Sequence, residues 1–265
     1  MTDGNEGVPD TLFIPLAARI YSTERFPEYF KDEASLRFRD KVPESIVSGS
    51  SEYSMVASVA RYRNTDAMIR DFVERNGRSN IVFLGAGLDT ACIRLSDLDA
   101  CFYEMDLPEV IEMRGDLIPV AENEVLIPGD LFDMRWAEKV DRTRQTMILA
   151  LGVFQYFPEK RIIDAIGRMK ELFPGAELVF DATDSKGLKY AERHVRRTGN
   201  QSAAMYFAVD DSEQFALRTG TELMEYRPFF TDARRMLNGK VGIYTRIAMN
   251  VADNNGRAKI LRMGL

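Results

Sequence analysis

The chain has 265 residues, 45% of them hydrophobic and 29% charged, with a formal charge of −6. That length holds one large α/β domain or a core with an added lid, and the composition is ordinary for a globular protein. The acid excess argues against a nucleic-acid partner, whose phosphates would need cations. The two cysteines, Cys92 and Cys101, supply neither a disulfide framework nor a zinc site. No apolar run reaches the roughly 20 residues of a membrane span, and "MTDGNEGVPD" lacks the basic and apolar regions of a signal peptide. The expectation is a cytoplasmic protein with no membrane and no nucleic-acid partner.

In chain order, residues 1–10 read as a disordered tail and 11–77 as a helical lid. "DTLFIPLAARIYSTERF" and "SVARYRNTDAMIRDFVERNG" carry apolar residues three and four apart, and Gly77 is suited to cap the second helix. After "GRSN" the period changes, and a core over 78–265 begins. Strand-like "NIVFLG", "ACFYEMD", "EVLIPGD", "TMILALGVFQYF" and "AELVFDATD" are separated by helical stretches, among them "LPEVIEMRGDL" and "PEKRIIDAIGRMKELF". Such alternation implies a mostly parallel sheet with helices on both faces. Residues 185–215 are polar, basic and weakly periodic, and read as an inserted helix or flap. "TELMEYRPFF" and "RAKILRMGL" look like late strands, with a further element in "GKVGIYTRIAMN".

Ligands of a doubly wound sheet sit beyond the carboxyl ends of the central strands. "IVFLGAGLDT" therefore marks a candidate pocket, in which Gly85, Ala86 and Gly87 let the backbone approach a ligand. A dinucleotide fingerprint would have Gly or Ala three places beyond Gly87, where Thr90 stands. Asp106 ends the next strand, where an acid can take ribose hydroxyls. Asp130 follows the strand after that, where a carboxylate can accept from an adenine amine. Glycines beside a small amino-acid group, one acid for ribose and one for adenine suit S-adenosylmethionine, which has no pyrophosphate. Asp106 and the glycines alone also fit an NAD-dependent oxidoreductase, and a non-catalytic S-adenosylmethionine-binding protein is a further alternative.

"ARYRNTD", "LGAGLDT", "YEMDLPEVIEMR", "IPGDLFDMRW" and "LALGVFQYFPEKRI" together resemble the leucine carboxyl methyltransferase superfamily, particularly its tetracenomycin-type polyketide O-methyltransferase branch. The resemblance spans about residues 11–184. It implies a Rossmann-like class I methyltransferase: a seven-stranded sheet, mostly parallel, whose last strand is antiparallel, with an N-terminal helical lid. It also implies roles. Arg61, or neighbouring Arg63, would hold the methionine carboxylate. Gly85, Ala86 and Gly87 would border the methionine moiety, Asp106 and Leu107 the ribose, and Asp130 and Leu131 the adenine, while Ala150 and Leu151, at the end of the fourth strand, would also bind the cofactor. Leu151 stands where several members have an acid, which turns the expected acceptor from a protein carboxyl group to a small, largely apolar or aromatic molecule.

Methyl transfer from a sulfonium needs positioning more than a base, although a hydroxyl acceptor would gain from one. His194, the sole histidine, and Tyr156 and Tyr206 are the candidates for catalytic contact. Phe13, Tyr21, Phe154 and Phe157 are candidate walls of an acceptor site. No metal site is expected, and Ser50–Ser51 with one histidine make no nucleophile triad.

Overall fold

The computed structural model describes residues 12–197 and 204–265, apart from the side chains of His194 and Arg197. The expected tail at 1–10 lies outside the described residues.

The N-terminal part is helical. Helix α1 (Phe13–Arg25) buries Leu16, Ala17 and Ile20 at three- and four-residue spacing. A 3-10 segment (Ser35–Lys41) and the short α2 (Glu44–Gly49) lead into α3 (Glu52–Asn76). Helix α3 starts six residues before the expected segment because Ser51 caps it, its side chain accepting from the Ser54 N–H at 3.2 Å. It stops at Gly77, whose φ of 67° suits a residue without Cβ.

The period-2 and continuous apolar runs become β1 (Ser79–Leu84), β2 (Ala100–Asp106), β3 (Glu124–Pro128), β4 (Thr146–Ala150) and β5 (Glu177–Thr183). Between them lie α4 (Ala91–Arg94), α5 (Pro108–Leu117) and α6 (Glu159–Leu172). After β5 come α7 (Ser185–Arg197), α8 (Ser212–Thr219), β6 (Glu222–Pro228), α9 (Thr231–Met236), α10 (Ile243–Asn254) and β7 (Ala258–Gly264). The strand order is β3-β2-β1-β4-β5-β7-β6, parallel except that β7 runs antiparallel to both β5 and β6. Every residue of β1 and β4 is buried, as central strands covered on both faces require.

Two sequence expectations shift. "TMILALGVFQYF" is not one strand: β4 ends at Ala150, Gly152 turns at φ 70°, and Phe154–Tyr156 form a 3-10 turn. Of the described part of 185–215, α7 covers the cavity as a separate helix, whereas the stretch that leads into α8 does not stand apart. Phe207 and Phe215 pack with Phe154 and Phe180 at centroid distances of 5.3–6.3 Å, so that stretch joins the core under the sheet.

Candidate functional site

The switch in strand order between β1 and β4 opens a crevice at the carboxyl ends of the parallel strands. A cavity of ≈ 930 Å³ occupies it, bounded by the turns after β1, β2, β3, β4 and β5 and by α3, α7 and α10. That is near the upper end of the roughly 300–1,000 Å³ usual for small-molecule sites.

The β1 turn is held from both sides. Gly85 and Gly87 have φ of 73° and 53°, and a Cβ on Gly85 would come within 2.4 Å of Val153. Asp106 accepts from the Gly87 N–H at 2.7 Å and the Leu107 N–H at 2.8 Å. Burial raises its pKa, a shift that these two donors partly offset. Carbonyls of the turn face the other way, to buried arginines: Leu88 O to Arg19 at 2.5 Å, and Gly87 O and Asp89 O to Arg114 at 3.2 and 2.5 Å. Asp89 takes the Thr90 and Ala91 N–H groups at the start of α4. The Thr90 hydroxyl donates to Asp32 at 2.7 Å and accepts from Arg94 at 2.9 Å. Thr90 thus fastens the turn to the N-terminal helices, a job the glycine of a dinucleotide fingerprint could not do.

Arg61 sits on the face of α3 that also presents Ser54, Ala57 and Ser58 to the cavity. Its Nη1 lies 3.3 Å from Asp181 Oδ2, while Asp181 Oδ1 accepts from the Gly152 N–H at 2.5 Å. Burial opposes the Arg61 charge, but Asp181 outweighs it and raises the pKa. Among the described residues, the buried Arg61 Nε and Ser58 Oγ have no hydrogen-bond partner. A guanidinium on the cavity wall, with donors to spare beyond its one bond to Asp181, suits an anionic ligand group. Asp130 accepts from the Phe132 N–H through Oδ1 and lines the far end with Leu131.

Other candidates separate. Gly85, Ala86, Gly87, Asp106, Leu107, Asp130, Leu131, Leu151 and Tyr156 all line the cavity. Arg63 does not: it binds Asp232 at 3.1 Å and the Tyr29 carbonyl at 2.6 Å. Two residues along α3 is a rotation of about 200°, so Arg61 and Arg63 cannot share a face. Ala150 is fully buried inside β4, and Tyr206 is 61% exposed and off the cavity. The His194 side chain lies outside the described residues. Burial raises the Tyr156 pKa, which opposes its use as a base. Of the aromatic walls expected, Phe157 is present, whereas Phe13, Tyr21 and Phe154 pack elsewhere; Tyr53, Tyr190, Phe230 and Tyr244 line the cavity instead.

Asp181 was missed by the sequence reading, although "VFDATD" places it at a strand end by the same logic as Asp106. One group of potential metal ligands does come together. Among the described residues, Cys92, Glu104 and Glu124 bring ligand atoms within 4.8 Å of one another. Arg114 already fills that cluster, at 2.7 Å from Glu124 and 3.4 Å from Glu104.

This strand order, with an antiparallel seventh strand and a cavity at the switch point, defines a Rossmann-like methyltransferase. The sequence pattern of the family described as leucine carboxyl methyltransferase matches residues 14–169, and the chain belongs to that family. It is a methyltransferase whose cofactor is S-adenosylmethionine. The chain is 26% identical over 240 residues to a tetracenomycin polyketide synthesis O-methyltransferase of Streptomyces glaucescens, covering 86% of this chain and 87% of that protein. In fold it is similar to a proposed methyltransferase from Thermobifida fusca (TM-score 0.61, 15% identity, 93% of each chain). It is also similar to a magnesium protoporphyrin IX methyltransferase from Synechocystis (TM-score 0.52, 12% identity, 88% of this chain and 99% of that one). Neither the strand order nor these relatives support the nicotinamide alternative. Among the described residues, no helix is long and apolar enough to cross a membrane.

Proposed function

We propose that the chain transfers the methyl group of S-adenosylmethionine to an oxygen, hydroxyl or carboxyl, of a small and largely apolar acceptor. The observation that carries the cofactor placement is Arg61: a buried cation on the cavity wall, 3.3 Å from Asp181 and over the Tyr62 ring, with guanidinium donors that those contacts leave free. It would take the methionine carboxylate by charge-assisted bonds. The turn from Gly85 to Gly87 would border the methionine moiety. Asp106 keeps lone pairs beyond the two backbone donors it already serves, which suits the ribose hydroxyls. Asp130 and Leu131 would face the adenine. Bound there, the sulfonium supplies an electrophilic methyl group. The helices α1 to α3, with α7, would act as the lid that closes over it.

Leu151 makes the β4 end of the cavity apolar, and the acid nearby is Asp181, already engaged by Gly152 and Arg61. With Asp106 and Asp130 assigned to the cofactor and Asp181 engaged by Gly152 and Arg61, a carboxylate or an acidic phenol, which needs no base, is the acceptor this wall serves best. The residues then act by orienting the acceptor oxygen and excluding water. The oxygen assignment is supported by the Streptomyces glaucescens relative, whose name is that of an O-methyltransferase.

Calorimetry with S-adenosylhomocysteine, on wild type and Asp106→Ala, tests the cofactor site. Incubation with methyl-labelled cofactor and a panel of phenols and carboxylic acids tests the acceptor. We expect nucleoside binding that Asp106→Ala weakens and a methyl ether or ester as product. Binding untouched by that substitution would refute the site, and an N- or C-methylated product would refute the oxygen assignment.

A further inference from the structure

Helix α10 leaves an apolar stripe uncovered: Ile243, Tyr244, Ile247 and Val251 are 74%, 64%, 56% and 49% exposed. At about 100° per residue these four positions fall within one arc of about 100°, while Thr245, Met249 and Ala252 point into the protein. Isolated exposed apolar residues are unremarkable, but a contiguous stripe marks an interaction surface. The stripe is continuous with the cavity, since Tyr244 and Val251 are both exposed and part of its lining.

Across the same mouth lies α7. Its inner face, Leu188, Ala191 and Val195, lines the cavity. Its described side chains include four cations, Lys186, Lys189, Arg193 and Arg196, against the single acid Glu192, which pairs with Arg196 at 2.9 Å. Helical spacing puts Lys186, Lys189, Arg193 and Arg196 within an arc of about 80°; all four side chains are exposed, and Lys186 also reaches the cavity mouth. Tyr53 lies at the same mouth: its ring meets Tyr190 of α7 edge-on at 5.7 Å, and Tyr53, Tyr190 and Tyr244 of α10 all line the cavity. The rim of the cavity is therefore apolar on one side and cationic on the other, in a chain whose total charge is −6.

We propose that this rim docks on an anionic lipid bilayer, the α10 stripe entering the interface and the α7 cations meeting the headgroups, so that the cavity opens toward the membrane. An apolar stripe flanked by Lys and Arg is the combination that seats a protein on a charged bilayer without crossing it. The acidic remainder of the chain is repelled by the same surface and holds the mouth toward it. Taken with the function proposed above, on which this extension rests, the acceptor is an amphiphile that partitions into the bilayer.

Co-sedimentation of the full chain with vesicles of phosphatidylcholine and phosphatidylglycerol (3:1), and of phosphatidylcholine alone, tests this. We expect binding to the anionic vesicles that weakens with salt, and far less to the neutral ones. Ile243→Glu/Ile247→Glu should abolish it, and Lys189→Glu/Arg193→Glu should lower it by roughly thirtyfold or more, at about fivefold per cation lost. Both variants should keep the circular dichroism and the S-adenosylhomocysteine affinity of the wild type, which separates failure here from failure of the cofactor site. No binding to anionic vesicles, or binding that the variants leave unchanged, would overturn the proposal. So would a wild-type dimer that Ile243→Glu/Ile247→Glu converts to a monomer, since a second copy would then cover the stripe.

Discussion

Replacing Arg61 by Met removes one cation from the cavity wall and conserves most of the stem's volume. Charge-assisted hydrogen bonds contribute about 1.5–3 kcal/mol. At about 1.4 kcal/mol per decade, the dissociation constant for S-adenosylhomocysteine should rise by roughly 10- to 150-fold. Folding stability should fall as well. Breaking a buried ion pair costs about 3–5 kcal/mol, but here the side chains are 12% and 15% exposed and Asp181 keeps the Gly152 N–H. The loss should therefore sit at or below the low end of that range. Two ligands separate binding from folding: S-adenosylhomocysteine, and 5′-methylthioadenosine, which keeps the thioadenosine but has no amino-acid carboxylate. Calorimetry should show the first weakened by Arg61→Met and the second unchanged. Equal losses for both ligands would mean that Arg61 only supports the fold, and no loss for S-adenosylhomocysteine would place its carboxylate elsewhere.

Two further outcomes follow from the same geometry. Gly152→Ala forces a Cβ within 2.6 Å of Arg61 Nη1 at φ 70°, and left-handed backbone costs an L-residue about 1–2 kcal/mol. Thermal unfolding should drop by about 2–4 °C per kcal/mol, and S-adenosylhomocysteine should bind more weakly because Arg61 is displaced; an unchanged affinity would sink the link between Gly152 and Arg61. Glu104 is fully buried, and burial pushes its pKa up to about 8 although Arg114 opposes this. A carboxyl raised in the folded state contributes stability below its unfolded pKa of about 4.3, and that stability is lost as pH rises through about 8. Glu104→Gln should therefore raise the melting temperature more at pH 9 than at pH 5, and a gain that is flat with pH would contradict the assignment.

Much of the site was legible because its signals are local. A strand running into glycines, and acids that end the next two strands, are read within a few residues, and a parallel sheet brings all its strand ends to one edge. Asp106 and Asp130 reach the cavity for that reason, and Gly77 ends α3 because a positive φ is a property of one residue. Asp181 obeys the same rule and was legible in principle. The core role of Phe207 and Phe215 was not legible because the rings that hold them, Phe154 from the turn after β4 and Phe180 from β5, lie out of reach of a short window.

The sequence by itself determined the alternation of strands and helices, the glycine turn and the strand-end acids, since each depends on backbone periodicity or a single residue's conformational range. Tertiary packing decided which of two arginines faces the ligand. Arg61 and Arg63 belong to one motif and carry the same charge, and only the docking of α3 turns the first toward Asp181, 120 residues away, and the second toward Asp232. It also decided what Thr90 does, because the partners of its hydroxyl, Asp32 and Arg94, are brought to it by the packing of the N-terminal helices on the sheet and by α4. Burial pairs such charges because leaving one unpaired in the interior costs more than any local preference can offset.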